Sequence, residues 1–107
     1  MQTFKFFKDN SNELNVFSFN SDEYEDVVAN LIVRQIVNNL NITDAIFTFT
    51  CTLTSHNYEI KILQVESLVD YFRVHYSVLN YDTYTMFRYI NEFDYRTINR
   101  LVDDARV

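Results

Sequence analysis

The clearest pattern in the chain is an alternation of inward-facing and outward-facing positions over residues 45–54. A period of two places every other side chain on one face of a strand, and the β-branched and aromatic residues of this stretch favour strands. A second alternating stretch covers residues 58–65, and the turn between them contains Asn57, a residue suited to positive φ. The pattern predicts a β-hairpin with Cys51 on its buried face.

Two shorter alternating stretches, residues 3–8 and 15–20, come earlier in the chain, and phenylalanines mark their period of two. The link between them includes residues 9–12, whose Asp-Asn-Ser-Asn sequence is typical of a turn. We therefore predict a first hairpin here. Together with the later hairpin, it would give a four-stranded antiparallel sheet.

Residues 21–40 have the spacing of a helix, with apolar side chains every three or four positions. Asn20 and Glu23 have the spacing of a capping box at its start. The apolar arc is wider than a surface helix needs. We expect the helix to be covered on two sides, by the sheet and by another helix or a second chain. The opposite, polar row consists of Asp26, Asn30, Arg34 and Asn38.

The remaining residues have the spacing of two further helices. Ser67 and Asp70 form a second capping box, at the start of a helix that ends near Asn80. Asp82 caps the last helical stretch, which can break near Phe93 and restart at Asp94. The inward positions are Leu68, Phe72, His75, Leu79, Met86, Ile90 and Phe93. A lone histidine on such a row is expected to be a hydrogen-bonded core residue.

The order of elements is therefore ββ-α-ββ-α-α. It predicts an α+β fold in which a four-stranded antiparallel sheet carries helices packed on one face. A chain of 107 residues is long enough for one domain and too short for two, so we expect a single domain over residues 1–107.

Composition excludes several classes of function. Glycine and proline are both absent, which excludes P-loops, dinucleotide fingerprints and nucleophile elbows. The 15 acidic and 9 basic residues give a net charge of −6, and no basic stripe is present, so direct nucleic-acid binding is not expected. The one cysteine cannot form an internal disulfide or a zinc cluster. We expect no metal or cofactor.

The N-terminal residues, the apolar stretches and the composition indicate the cellular setting. The first eight residues do not resemble a signal peptide, and no apolar stretch approaches the length of a membrane span. We therefore expect an intracellular protein with no membrane partner. Richness in Asn, Phe and Tyr without Gly or Pro resembles small open reading frames of AT-rich viruses and phages. This composition predicts an accessory protein in the cytoplasm or nucleus of a host cell.

One set of residues points to an enzyme. Asp44 followed by Glu59 and Lys61 resembles the metal-dependent nuclease signature of the restriction-endonuclease fold. There, two carboxylates hold a divalent metal and the lysine helps to position or activate water. A tight turn would place Glu59 opposite Leu53, however, so that Asp44 would lie roughly 30 Å away along the strand. We therefore expect no catalytic residues, and Glu59 and Lys61 are expected on an exposed face.

Aromatic residues near the C-terminus point to a protein interface. Six tyrosines lie between residues 71 and 95 with arginines among them, and Tyr and Arg are enriched where proteins bind each other. We expect a non-enzymatic protein–protein interaction module that acts on a host or viral protein and forms a homodimer through its helices. The candidate interface residues are Tyr76, Tyr81, Tyr84, Arg88, Tyr89 and Tyr95.

A run of carboxylates at the start of the first helix supports an alternative function. Acidic side chains there suit the helix dipole, and spread over a small acidic domain they can also occupy the basic groove of a nucleic-acid-binding protein. The alternative is an inhibitor that mimics nucleic acid and blocks a DNA- or RNA-handling protein. Its acidic patch would be Asp22, Glu23, Glu25 and Asp26.

Overall fold

A computed structural model describes residues 4–8, 23–51 and 54–106 of the chain. The four strands form one antiparallel sheet in the order β1-β2-β3-β4, so strands that follow each other in the chain are also neighbours in the sheet. The predicted α+β class and four-stranded antiparallel sheet are confirmed, although two of the four strands are not the predicted ones. The elements are α1 (Tyr24–Asn38), β1 (Ile46–Thr50), β2 (Asn57–Ser67), β3 (Tyr71–Asn80), β4 (Thr85–Asp94) and α2 (Tyr95–Ala105).

The sheet has an inner face, which packs against the helices, and an outer face. Phe47 lies opposite Ile60, and Ile60 lies opposite Val78, so that three strands place buried apolar side chains at one level of the inner face. Burial of such side chains is the main stabilising contribution to the fold. Tyr24 of α1 packs on Tyr58 with 5.5 Å between ring centroids. Both helices contribute to the same core cluster as the sheet.

Helix α1 is covered on its polar side as well. Asp26, Asn30 and Arg34, which form most of the predicted polar row, are all buried. The segment 4–8 lies against this row, and the backbone carbonyl of Phe7 accepts hydrogen bonds from Asn30 Nδ2 at 3.3 Å and Arg34 Nη2 at 3.4 Å. Helix α2 also packs on α1. The predicted cover on two sides, by the sheet and by another helix, is confirmed.

The helix predicted between Ser67 and Asn80 is wrong, because residues 71–80 form strand β3. Ser67 ends β2 instead of capping a helix. Alternate residues of β3, among them Val74 and Tyr76, point into the core, and the strand pairs with β2 on one side and β4 on the other. The apolar residues of this stretch fit a helical period and a strand period equally well, and the pairing of three strands favours the second.

The helical stretch predicted from Asp82 is wrong up to Phe93. Residues 81–84 form a turn, and β4 follows it with an unbroken register against β3. The predicted restart at Asp94 is confirmed, because the Asp94 side chain accepts a hydrogen bond of 2.6 Å from the backbone N–H of Arg96. Such a cap satisfies a backbone donor that the first turn of a helix leaves unpaired.

Other predictions concern the first half of the chain. Residues 4–8 have no regular secondary structure, and the rest of the predicted first hairpin lies outside the described residues, as does Asn20. Helix α1 instead has Glu23 as its N-cap. The positive φ in the β1–β2 turn is found at Ser55, at 62°, and Asn57 begins β2.

None of the helices within the described residues has the length and apolar character needed to cross a membrane.

Candidate interaction surface

Strand β4 lies at one end of the sheet, and among the described strands it pairs with β3 alone. Its register runs from Thr85 opposite Asn80 to Asp94 opposite Tyr71, with no shift along ten residues. The edge strand at the other end, β1, has only five residues. Strand β4 is therefore the longer of the two sheet edges.

Hydrogen bonds at both ends of β3 show which backbone groups of β4 point away from the sheet. The N–H of Tyr81 donates to Asn57 O at 3.0 Å, and the N–H of Tyr95 donates to Asp70 O at 3.2 Å. In an antiparallel ladder, alternate residues direct both backbone groups to the same neighbour. The odd-numbered residues of β4 therefore bond to β3, and the even-numbered ones direct N–H and C=O away from it. These outward groups, at Met86, Arg88, Ile90 and Glu92, form what we call the free edge.

Large apolar side chains are exposed along this edge. Met86 and Ile90, on the outer face, are 60% and 59% exposed, and Phe87, on the inner face, is 56% exposed. Natural proteins usually protect a long edge strand with Lys, Pro or a bulge, because an open edge pairs with other chains. Strand β4 has no Lys, Pro or bulge, and the charged side chains along it are Arg88, Glu92 and Asp94. A long, regular and apolar sheet edge is the kind of surface that another polypeptide covers.

Three of the six predicted interface residues lie on the surface of the β3–β4 hairpin. Tyr84 is 82% exposed in the hairpin turn, and Arg88 is exposed on β4. Tyr81 is one-third exposed, and its hydroxyl donates a hydrogen bond to Glu59. That hydrogen bond raises the pKa of Tyr81. Tyr84 and Arg88 are thus exposed, but they lie on a β-hairpin where the sequence predicted helices.

The other three predicted interface residues hold the fold together. Tyr76 is buried in the core, and Tyr89 stacks beside it with 5.7 Å between ring centroids. The ring of Tyr95 packs edge-on against Phe72, and its hydroxyl donates to the carbonyl of Leu68 at 2.6 Å. None of these three rings can be removed without disturbing the core or the β2–β3 turn.

A polar chain crosses the core beneath α1. The Tyr76 hydroxyl donates to Asn91 Oδ1, and Asn91 Nδ2 donates to Glu25 Oε1 at 3.0 Å. These bonds join β3, β4 and α1. Burial raises the pKa of Tyr76 well above its ordinary value, and the nearby Glu25 carboxylate adds to the effect because a second negative charge there is unfavourable.

A cluster of charged side chains lies on the outer face beside β4. His75 Nε2 lies 2.9 Å from Glu66 Oε2, and Arg73 Nη2 lies 3.2 Å from Glu92 Oε1. The predicted hydrogen bonding of His75 is confirmed, but its predicted place in the core is wrong, because the strand period directs Tyr76 inward and His75 outward. The Glu92 hydrogen bond raises the pKa of Arg73. The cluster ties β2, β3 and β4 together.

The three residues of the nuclease hypothesis lie at different places around β1 and β2. Glu59 is opposite Thr48, not Leu53, which corrects the predicted register. Asp44 precedes β1, and its backbone N–H donates to Ile62 O at 2.9 Å, which places it about 10 Å from Glu59 along β2 and not the predicted distance of roughly 30 Å. Lys61 is exposed, as expected, and Glu59 is half-buried. Within the described ranges no group of three His, Cys, Asp or Glu residues could hold a metal ion.

The acidic run does not form a shared surface in the part of the chain that the structure describes. Asp22 lies outside the described residues. Asp26 is 1% exposed, and its carboxylate accepts a hydrogen bond from the backbone N–H of Lys5 at 3.5 Å. Glu25 is half-buried against Asn91. Of the four carboxylates, Glu23 is the one that the structure places on the surface.

Cys51 lies on the buried face at the end of β1, as the sequence predicts. A shallow groove of about 370 Å³ lies between the end of α1 and β2. Its lining contains amides, hydroxyls and aliphatic groups and no titratable side chain, so it offers no acid–base chemistry. Its lining residues are Gln35, Asn39, Leu40, Asn41, Thr43, Val65 and Ser67.

Comparison with known proteins found no family model, no curated protein and no solved structure that matches the chain.

Proposed function

We propose that this chain is a protein–protein interaction module that binds an extended segment of polypeptide along the free edge of β4. The observation that supports the proposal is the edge itself: ten residues in regular register, with outward backbone groups and exposed apolar side chains. An added strand would gain main-chain hydrogen bonds from the edge, and alternate side chains would supply specificity.

The exposed side chains of β4 would supply much of the affinity. Full burial of a Met or Ile side chain contributes about 1.5–3 kcal/mol, and Met86 and Ile90 each have more than half of that burial still to gain. Backbone hydrogen bonds add about 1 kcal/mol each in net terms. These contributions act against an entropy cost of association of about 4–15 kcal/mol.

Structural pairing of the titratable groups also supports binding over catalysis. Glu66 is engaged by His75 and Arg73, and Glu59 accepts a hydrogen bond from Tyr81. These groups stabilise the sheet, and they do not converge on a cavity. The richness in Asn, Phe and Tyr supports the further proposal that the module is a small viral accessory protein.

Site-specific crosslinking tests the proposed edge. A photoreactive phenylalanine analogue replaces Phe87 on β4, and in a control protein it replaces Ile46, which is similarly exposed on the opposite edge strand. We expect position 87 to crosslink one protein species that position 46 does not. The purified species, added back, should crosslink again at position 87.

The Ile90→Pro substitution provides the matched control in the same strand. Proline removes the outward N–H at the centre of the free edge and is tolerated on edge strands. It should abolish the crosslink at position 87 while thermal unfolding shows that the domain still folds. A crosslink that persists with Ile90→Pro, or one of equal strength at position 46, would overturn the assignment of this edge.

A further inference from the structure

We infer that the segment bound by β4 is the β4 strand of a second copy of this chain, paired antiparallel about a two-fold axis at Ile90. This inference rests on the proposed function, since it uses the same free edge and names the partner. The two four-stranded sheets would join into one sheet of eight strands. A two-fold arrangement requires that the edge be complementary to itself.

Backbone direction limits the possible registers. Only even-numbered residues of β4 direct hydrogen-bonding groups outward, so each must lie opposite an even-numbered residue of the second copy. With the axis at Ile90, the two Ile90 residues face each other as a hydrogen-bonded pair. Arg88 of each copy then lies opposite Glu92 of the other. The two copies thus form two Arg88–Glu92 pairs.

Neighbouring registers match the side chains less well. An axis at Arg88 places two guanidinium groups against each other, and an axis at Glu92 places two carboxylates against each other, and like charges directly opposite are destabilising. An axis at Tyr89 sets Arg88 against Ile90 and Met86 against Glu92. An axis at Asn91 pairs Arg88 with Asp94 but sets Ile90 against Glu92. The axis at Ile90 is the register that matches opposite charges and also matches Ile90 with Ile90.

The charged groups are available for these pairs. Arg88 is exposed, and among the described residues it has no ion-pair partner. Glu92 receives both hydrogen bonds from Arg73 at Oε1, at 3.2 Å each, which leaves Oε2 for a second arginine. Arg73 holds the Glu92 carboxylate on the outer face from the β3 side, so Oε2 is the atom that Arg88 of the second copy would reach.

The same register accounts for an exposed aromatic side chain on the inner face. Phe87 is 56% exposed although it lies on the side of the sheet that packs against the helices. With the axis at Ile90, Phe87 lies opposite Phe93 of the second copy. Phe93 is fully buried in its own core. Opposite residues in a non-hydrogen-bonded pair have their side chains close together, so the ring of Phe87 would extend the core of the second copy.

A charge-exchange experiment tests both the partner and the register. Arg88→Glu gives a chain that would set two carboxylates against each other in each pair, and Glu92→Arg gives one that would set two guanidinium groups against each other. Sedimentation measurements on each variant alone should show a dimer weakened about tenfold or more relative to the unchanged chain. An equal mixture of the two variants should restore a dimer, since each chain then carries the charges that the other needs.

Control variants separate the charge effect from loss of folding. Arg100→Glu makes the same charge change at an exposed position of α2 and should leave the dimer intact. Ile90→Lys sets two ammonium groups at the axis and should give a monomer. Circular dichroism and thermal unfolding of each variant show whether the domain remains folded.

Each outcome decides a separate point. A mixture of folded Arg88→Glu and Glu92→Arg chains that stays as weakly associated as either alone would overturn the register at Ile90. An unchanged chain that is strictly monomeric at about 100 μM would overturn self-pairing, because the dissociation constant of the dimer would then lie well above that concentration. The mass of the species crosslinked at position 87 shows separately whether a different protein adds a strand to β4.

Discussion

At the scale of single residues, a chain without glycine uses other residue types in left-handed backbone. Asn39, Asp44, Ser55 and Tyr84 have φ between 54° and 65°. Asn and Asp enter this region at low cost, whereas a bulky side chain there clashes with the backbone. Tyr84 is 82% exposed, so its own burial does little to offset that strain.

Replacing Tyr84 by Asn should therefore stabilise the protein. We expect Tyr84→Asn to raise the free energy of unfolding by about 0.5–1 kcal/mol, because the left-handed strain falls and little burial is lost. Urea unfolding at a fixed protein concentration measures the difference. Tyr84→Phe keeps the strain and should leave the stability unchanged, and a Tyr84→Asn protein less stable than the Phe variant would contradict this account.

Tyr76 gives the protein a dependence on alkaline pH. Its pKa is raised in the folded state by burial, so the folded protein holds the phenolic proton where the unfolded chain has released it. The stability from Tyr76 is fully present below its ordinary pKa of about 10 and is lost as pH rises above it. Thermal unfolding between pH 8 and 11 should show this decline, and Tyr76→Phe should reduce its slope. An unchanged slope would mean that Tyr76 is not the group responsible.

At the scale of elements, the sequence predicted some parts of the fold well and others poorly for a definite physical reason. In β1 and in α1 only one period fits the apolar residues, and both elements were predicted near their observed positions. In β3 two periods fit. Phe72, His75 and Leu79 have helical spacing, while Val74 and Tyr76 belong to an alternating set. Pairing with β2 and β4 favours the alternating period, and a single sequence does not show such pairing.

Helix α2 was located by its cap, and the cap should have a measurable effect. Asp94→Ala removes the acceptor for the Arg96 N–H and should lower the free energy of unfolding by about 1 kcal/mol. Asp103→Ala, at an exposed position of the same helix, removes a carboxylate without a capping role and should cost less than about 0.5 kcal/mol. Equal effects of the two substitutions in urea unfolding would show that Asp94 does not act as a cap.

At the scale of the whole molecule, the proposed interaction surface depends on which residues of β4 are exposed to solvent. The helical interpretation directed Met86 and Ile90 inward, and the structure exposes both on the outer face of β4. Composition alone pointed to Tyr84 and Arg88 in the same hairpin. Composition does not distinguish these residues from Tyr76, because it does not show whether a tyrosine is buried. Only the alternation along a strand shows which tyrosine faces the core.

The apolar surface that was expected to form a dimer interface on the helices is not exposed in the described structure. The wide apolar arc of α1 is covered within the chain by the sheet and α2, and the segment 4–8 covers the polar row. The apolar arc of α1 therefore does not favour a dimer formed through the helices. The exposed apolar surface lies instead on β4, and the proposed interface moves to this strand.

Hydrogen exchange of the β4 amides, followed residue by residue by NMR at low and high protein concentration, shows whether β4 pairs with the β4 strand of a second copy. We predict that the amides of Phe87, Tyr89 and Asn91 are protected at both concentrations, because they bond to β3. Those of Arg88 and Ile90 should exchange quickly when dilute and become protected when concentrated, and Ile90→Lys should abolish that gain. Equally fast exchange of the Ile90 amide at both concentrations would contradict self-pairing of β4.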